Sequence, residues 1–205
     1  MTVAALTHLV LLQVLIAMSP GPAVVLTIRT AASQGARAAL KISLGLALGI
    51  LLWAIAALAG LAVLFEVMPW IQTGLRLIGA AFLVWIGMRL WRDASHPLAE
   101  TGTELAPQGY SGVGLGVWTN LANPKALAYF AAVFTGILPV NVTFADAAAI
   151  LAVVFIVEAA WYTSVALVFS RPAPRQIYAR VKAGLERFFG ALIAAFGLRL
   201  LFERT

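Results

Sequence analysis

Residues 3–28 read VAALTHLVLLQVLIAMSPGPAVVLTI, an apolar run without a single Asp, Glu, Lys or Arg, broken two thirds of the way along by Pro20-Gly21-Pro22. About 20 apolar residues are what one α-helix needs to cross the hydrocarbon core of a bilayer. Pro20 and Pro22 lack the N–H that would bond four residues back, so a helix carried through this point leaves the carbonyls of Ile16 and Met18 without donors. An unsatisfied backbone group in lipid costs several kcal/mol, so the break has to face a cavity, water or a polar neighbour.

The rest of the chain has the same character. Of its 205 residues 62% are hydrophobic and 11% charged, with a mean hydropathy of +0.97. Soluble domains hold about 45–50% apolar and about 25% charged residues, and a chain this short cannot hide the excess in one water-facing core. Further apolar stretches lie at residues 42–65, 70–90, 113–138, 145–169 and 188–202. With residues 3–28 they make six spans of an all-α integral membrane protein, and their continuity excludes a barrel of alternating strands. No room is left for a soluble catalytic domain. A cleaved leader is a poor reading of the first run, because no Lys or Arg precedes it and Ser19-Pro20-Gly21-Pro22 is a poor cleavage site.

The net charge of +6 and pI near 10.3 would suggest nucleic acid in a soluble protein. In a membrane protein they report orientation, since cytoplasmic loops carry excess Lys and Arg. Arg29, Arg37 and Lys41 lie between spans one and two, Arg89 and Arg92 between three and four, and Arg171, Arg175, Arg180, Lys182 and Arg187 between five and six. These connectors are expected in the cytoplasm and both termini outside. Absence of cysteine removes disulfides, thiolate metal sites and cysteine nucleophiles from consideration. His8 and His96 sit in a terminus and a loop, so no metal or other cofactor is expected.

The two halves of the chain repeat each other. Ser19-Pro20-Gly21-Pro22-Ala23 falls against Asn123-Pro124-Lys125-Ala126-Leu127, Arg76-Leu77-Ile78-Gly79-Ala80 against Arg187-Phe188-Phe189-Gly190-Ala191, and Gly87-Met88-Arg89-Leu90 against Gly197-Leu198-Arg199-Leu200. Three spans per half put the second copy into the membrane upside down. The expected organisation is a first three-helix repeat at 1–92, a polar cytoplasmic linker at 93–112 and a second repeat at 113–205, the first helix of each repeat being broken. Inverted repeats with paired breaks are the architecture of many secondary transporters, whose substrate site lies at the repeat interface near the bilayer midplane.

Two charges stand near the middle of the spans. Lys125 is about 12 residues from either end of span four, roughly 18 Å along the helix, too far to snorkel, and Glu158 is near the middle of span five. A charge at bilayer centre costs at least about 2.5–3.5 kcal/mol and usually faces a partner or a pathway. One reading is a structural ion pair between spans four and five; the other has both residues lining a substrate path. The half-helices after Pro22 and from Lys125 would present positive N-terminal ends to a carboxylate, with Glu158 available for an ammonium. Gln13, Ser19, Thr119, Asn120, Asn123, Trp161 and Tyr162 could add hydrogen bonds or an aromatic wall. Ser43, Gly45, Ala47 and Gly49 read as a helix-packing face. There is no phosphate-binding loop for ATP, which leaves the proton gradient as driving force.

With Pro20-Gly21-Pro22 in the first span, Asn123-Pro124-Lys125 after the central linker and Gly35 after span one, the chain resembles the LysE/RhtB family of bacterial amino-acid exporters over its whole length. The resemblance implies a multi-pass inner-membrane exporter that carries amino acids or their derivatives out of the cytoplasm, driven by protons, and suggests a homodimer. Members handle lysine, arginine, threonine, homoserine and leucine, so the family does not choose a substrate. A single intramembrane acidic residue opposite a lysine leaves no spare anion for a cationic substrate and favours a neutral zwitterion. The alternative is an ion or small-solute channel on the same repeat. An enzyme is not expected, since the spans hold no Ser/His set, paired carboxylates or HExxH motif.

Overall fold

A computed structural model describes residues 2–67, 69–95, 111–123, 125–127, 129–130 and 142–202. Besides short helical stretches at 125–127 and 129–130, these form the helices α1 (Val3–Met18), α2 (Pro22–Gln34), α3 (Ala36–Val67), α4 (Pro69–Asp93), α5 (Gly112–Leu121), α6 (Phe144–Phe169) and α7 (Pro172–Phe202), and no strand occurs among the described residues.

The boundaries follow local chemistry. Thr2 caps α1, its side chain accepting from the Ala5 N–H, and α1 stops at Ser19, where the prolines end donation. Pro22 then occupies the first turn of α2, where a missing N–H costs nothing, and the two helical pieces are bent by 54°. Gly35 separates α2 from α3 at φ 83° and ψ 178°, a conformation essentially restricted to glycine. A reciprocal capping box between Thr143 and Asp146 starts α6.

Two stretches among the described residues are long and apolar enough to cross a membrane, Ala36–Ala59 with mean hydropathy 2.4 and Phe144–Phe169 with 2.0; there are three if the bent pair counts as one span. The expected break in span four is present: α5 ends at Leu121 and helix resumes at residues 125–127 and 129–130. Pro124, most of the linker and residues 131–141 lie outside the described residues.

The last connector differs from expectation. Residues 172–187, expected to be a loop, are the first half of α7, which begins 16 residues before the expected residue 188. Their charges hide an amphipathic helix: Tyr178, Lys182 and Glu186, four apart, are buried on one face, while Arg180 and Arg187 point outward. Lys182 Nζ donates to Glu186 Oε2 at 2.8 Å, so each buried charge carries its own partner. A search for uninterrupted apolar runs does not see such a segment.

Helix α3 packs most extensively against α5 and α6, and α4 against α7; α1 lies on α6, and α2 on α3 and α6. The packing face expected on α3 is there. A methyl group on Gly45 would collide with the Val113 carbonyl, and one on Gly116 with the Ile42 carbonyl, so these backbones touch directly. Ala47 is fully buried, and the Ser43 hydroxyl is shared between the carbonyls of Ala39 and Tyr162, both at 2.9 Å.

Two apolar clusters fill the interior. One joins Leu9, Leu12 and Ile16 of α1 to Ile50 and Ala54 of α3, Tyr129 and Phe130, and Ile150 and Val154 of α6. The other joins Ala23, Val24 and Ile28 of α2 to Ile42 and Leu46 of α3, Tyr162 and Val165 of α6, and Tyr178 of α7. On α6 the two sets are separated by one buried residue, Glu158. A polar layer therefore lies where the clusters meet, at the level of the break between α1 and α2.

Candidate functional site

The layer is built from the end of α1 outward. The Ile16 carbonyl, which Pro20 cannot serve, accepts the Ser19 hydroxyl at 3.0 Å and Lys125 Nζ at 3.0 Å. Lys125 Nζ also donates to the Ser19 carbonyl at 3.0 Å and to Ser19 Oγ at 2.8 Å, and it lies against Gly21. All three ammonium protons thus have acceptors. A cation at the negative end of the α1 dipole is favourably placed as well, so one lysine from the second break satisfies the carbonyl left free by the first.

Glu158 is held by the same helix. Its Oε2 accepts from Gln13 Nε2 at 3.0 Å, and Gln13 precedes Ile16 by three residues, so both ionisable side chains meet one face of α1. Among the described residues Lys125 and Glu158 do not form the direct ion pair that their positions suggested, although their charges interact. Lys125 instead donates to oxygens of Ile16 and Ser19 at the end of α1, and Glu158 takes the Gln13 amide of α1 and faces the Asn120 side chain of α5.

Asn120 and Asn123 organise the second break. Asn120 Nδ2 donates to the Leu46 carbonyl at 2.8 Å, and the Asn120 carbonyl accepts from Trp53 Nε1 at 3.3 Å and from the Asn123 N–H at 3.1 Å. Asn123 Oδ1 accepts from the Lys125 N–H at 3.0 Å, while its carbonyl accepts from Ala126 and Leu127. This corrects the expectation of free N–H groups at the start of the Lys125 half-helix, because Asn123 caps that end. The α2 end is different. Gly21 provides no side-chain cap, and Ala23 and Val24 are buried.

Gln13, Ser19, Pro20, Thr119, Asn120, Asn123, Lys125, Glu158 and Tyr162 are buried, and Gly21, Pro22 and Trp161 partly so. Tyr162 belongs to the apolar cluster around α2, and Trp161 packs against that cluster. Tyr129 is a residue that the sequence reading passed over. It is 1% exposed and lies within the field of Glu158; its signal was its position four residues after Lys125, one turn along the same face. Trp53, which reaches Asn120 from α3, gave no such signal.

Among the described residues, Gln13 Oε1, Asn120 Oδ1 and Tyr129 OH in this layer, and Trp161 Nε1 on the neighbouring turn of α6, are buried without a hydrogen-bond partner. Buried polar atoms are nearly always paired. Two of the four are acceptors only and one is a donor only.

Long apolar helices, one pair of them bent at a break beside a buried polar layer, fit a membrane protein, and the sequence comparisons give its class. The model of the LysE type translocator matches residues 14–204, and the chain belongs to that family. It is 36% identical over 204 residues to the threonine efflux protein of Escherichia coli (strain K12), covering 98% of this chain and 96% of that protein. The threonine efflux protein of Salmonella typhi is also 36% identical over 204 residues. The uncharacterized membrane protein YahN of E. coli is 30% identical over 188 residues, 90% of this chain and 83% of that one. No solved structure matches.

Proposed function

We propose that this protein is a secondary active exporter of small neutral amino acids, driven by protons, in the inner membrane of a bacterium. The observation that carries this reading is the set of unpaired polar atoms beside the α1–α2 break. An amino-acid zwitterion presents an ammonium for Gln13 Oε1, Asn120 Oδ1 and the Glu158 carboxylate, and a carboxylate for the uncapped α2 N-terminus, Tyr129 OH and Trp161 Nε1. Threonine is the first substrate to test, because relatives that align along nearly the whole chain carry the name threonine efflux protein.

In this reading Lys125 is the latch between the two breaks. Its three bonds to α1 hold the breaks together in the empty site; a substrate carboxylate competes with the Ser19 and Ile16 oxygens for the ammonium and loosens that contact. Glu158 exchanges its Gln13 bond for the substrate ammonium and takes up a proton when the substrate leaves. Substrate and proton would thereby bias the same bistable element, which transport coupled between two sides requires.

The six-span inverted repeat is part of the proposal. It is supported by the two breaks and by the packing of corresponding elements, α3 on α6 and α4 on α7. Both termini would face the periplasm. Purified protein in liposomes tests the function: saturable threonine flux that follows an imposed pH gradient supports the exporter, whereas unsaturable electrogenic ion flux with no amino-acid dependence overturns it. Single cysteines placed at residues 33 and 141 of this cysteine-free chain should be labelled from the cytoplasmic and periplasmic sides, respectively; the reverse pattern overturns the orientation.

A further inference from the structure

Outside the polar layer, a groove of about 660 Å³ opens between the last turns of α4 and the middle of α7. The helices cross in direct contact at Gly87 and Gly190, where a methyl group on either would collide with the carbonyl of the other. The groove beside this crossing is walled by Trp85, Met88 and Trp91, each about half exposed, and floored by Ala191 and Ala194. Its far end is basic. Arg89 lies 5.5 Å above the Trp85 ring and pairs with Asp93 at 3.3 Å; Arg92 is exposed beside it, and Arg187 of α7 donates to Ser95 Oγ at 3.2 Å.

We propose that this groove binds the headgroup and upper acyl chain of an anionic phospholipid. Tryptophans and arginines at one end of otherwise apolar helices mark the membrane–water boundary, and basic pockets between membrane helices on the cytoplasmic side take anionic headgroups. The charge count selects the headgroup. Among the described residues Asp93 answers Arg89, which leaves in excess Arg92 in the lining and Arg187, one turn before Ala191 on α7. A zwitterionic lipid brings its own cation to the phosphate, whereas an anionic one leaves its charge for the two arginines. This site is independent of the substrate reading.

Native mass spectrometry of the detergent-purified full chain, titrated with phosphatidylglycerol or phosphatidylcholine, tests the assignment. Phosphatidylglycerol should be retained preferentially. An R92Q/R187Q double variant should lose about five-fold in retention per arginine, roughly 25-fold in all. A191W, which fills the groove and leaves every charge in place, should lose retention of the same lipid. Equal retention of the two lipids, or unchanged retention in both variants, overturns the proposal. So does thermal stabilisation by inorganic phosphate equal to that by phosphatidylglycerol, which would make the site a simple anion site. Efficient oxidative cross-linking of M88C between two chains in liposomes would assign the groove to a dimer and also overturn it.

Discussion

The Lys125 ammonium lies 2.8 Å from the Ser19 hydroxyl, although 106 residues separate the two in sequence. Each belongs to a helix break, and together they join the two halves of the chain. The lysine also reaches the Ile16 carbonyl, so a single side chain both neutralises the backbone defect made by Pro20 and ties it to the second break.

Replacing Lys125 by Ala should leave three acceptors at the end of α1 without their charged donor. Hydrogen bonds to charged groups are worth about 1.5–3 kcal/mol each, so flux in liposomes should fall by a factor on the order of 100 or more while the protein still inserts into the membrane. Wild-type flux in this variant would remove Lys125 from the pathway.

The Ser19→Ala change is milder. It takes away one acceptor for Lys125 and one donor to Ile16 but keeps the Ser19 carbonyl. A stability loss of about 1–2 kcal/mol is expected, with flux between that of wild type and Lys125→Ala, measured by thermal unfolding and liposome flux on the same preparation.

At the α3–α5 contact, Gly116→Leu should prevent assembly, since even a methyl group meets the Ile42 carbonyl. Overpacking costs typically about 1–3 kcal/mol and more where backbone must move. Gly184→Ala, with open space around it, is the matched control and should leave the elution profile of the purified protein unchanged.

Gly35→Ala tests the hinge between α2 and α3. Its φ of 83° with ψ of 178° is costly for any residue with a Cβ, and a loss of about 1–3 kcal/mol is expected from backbone strain alone. The thermal midpoint should fall even though nothing lies within 4 Å of the added methyl group.

What the sequence reveals here depends on the range of the physics. Prolines act locally, so the first break, and the interruption of span four around Asn123, could be read directly from residue types. Long apolar runs announced α3 and α6, and the burial of Lys125 and Glu158 followed from their depth. The partners did not follow. Whether Lys125 meets Glu158 or the carbonyls of α1 is decided by how helices from opposite halves pack, and no periodicity encodes that. The first half of α7 was missed because its buried Lys182 and Glu186 satisfy each other, which makes a buried face look like a solvated loop. Tyr129 was missed because a tyrosine in an apolar span draws notice only once Lys125 is known to lie on its face.

The central claim is that the polar layer recognises both charged ends of an amino-acid zwitterion. Counterflow in liposomes loaded with unlabelled threonine measures this most directly, with competitors that keep the side chain and lack either the ammonium or the carboxylate. Neither analogue should compete with labelled threonine, and both Lys125→Ala and Glu158→Gln should abolish the counterflow. Competition by either analogue equal to that of threonine, or full counterflow in both variants, would contradict the claim.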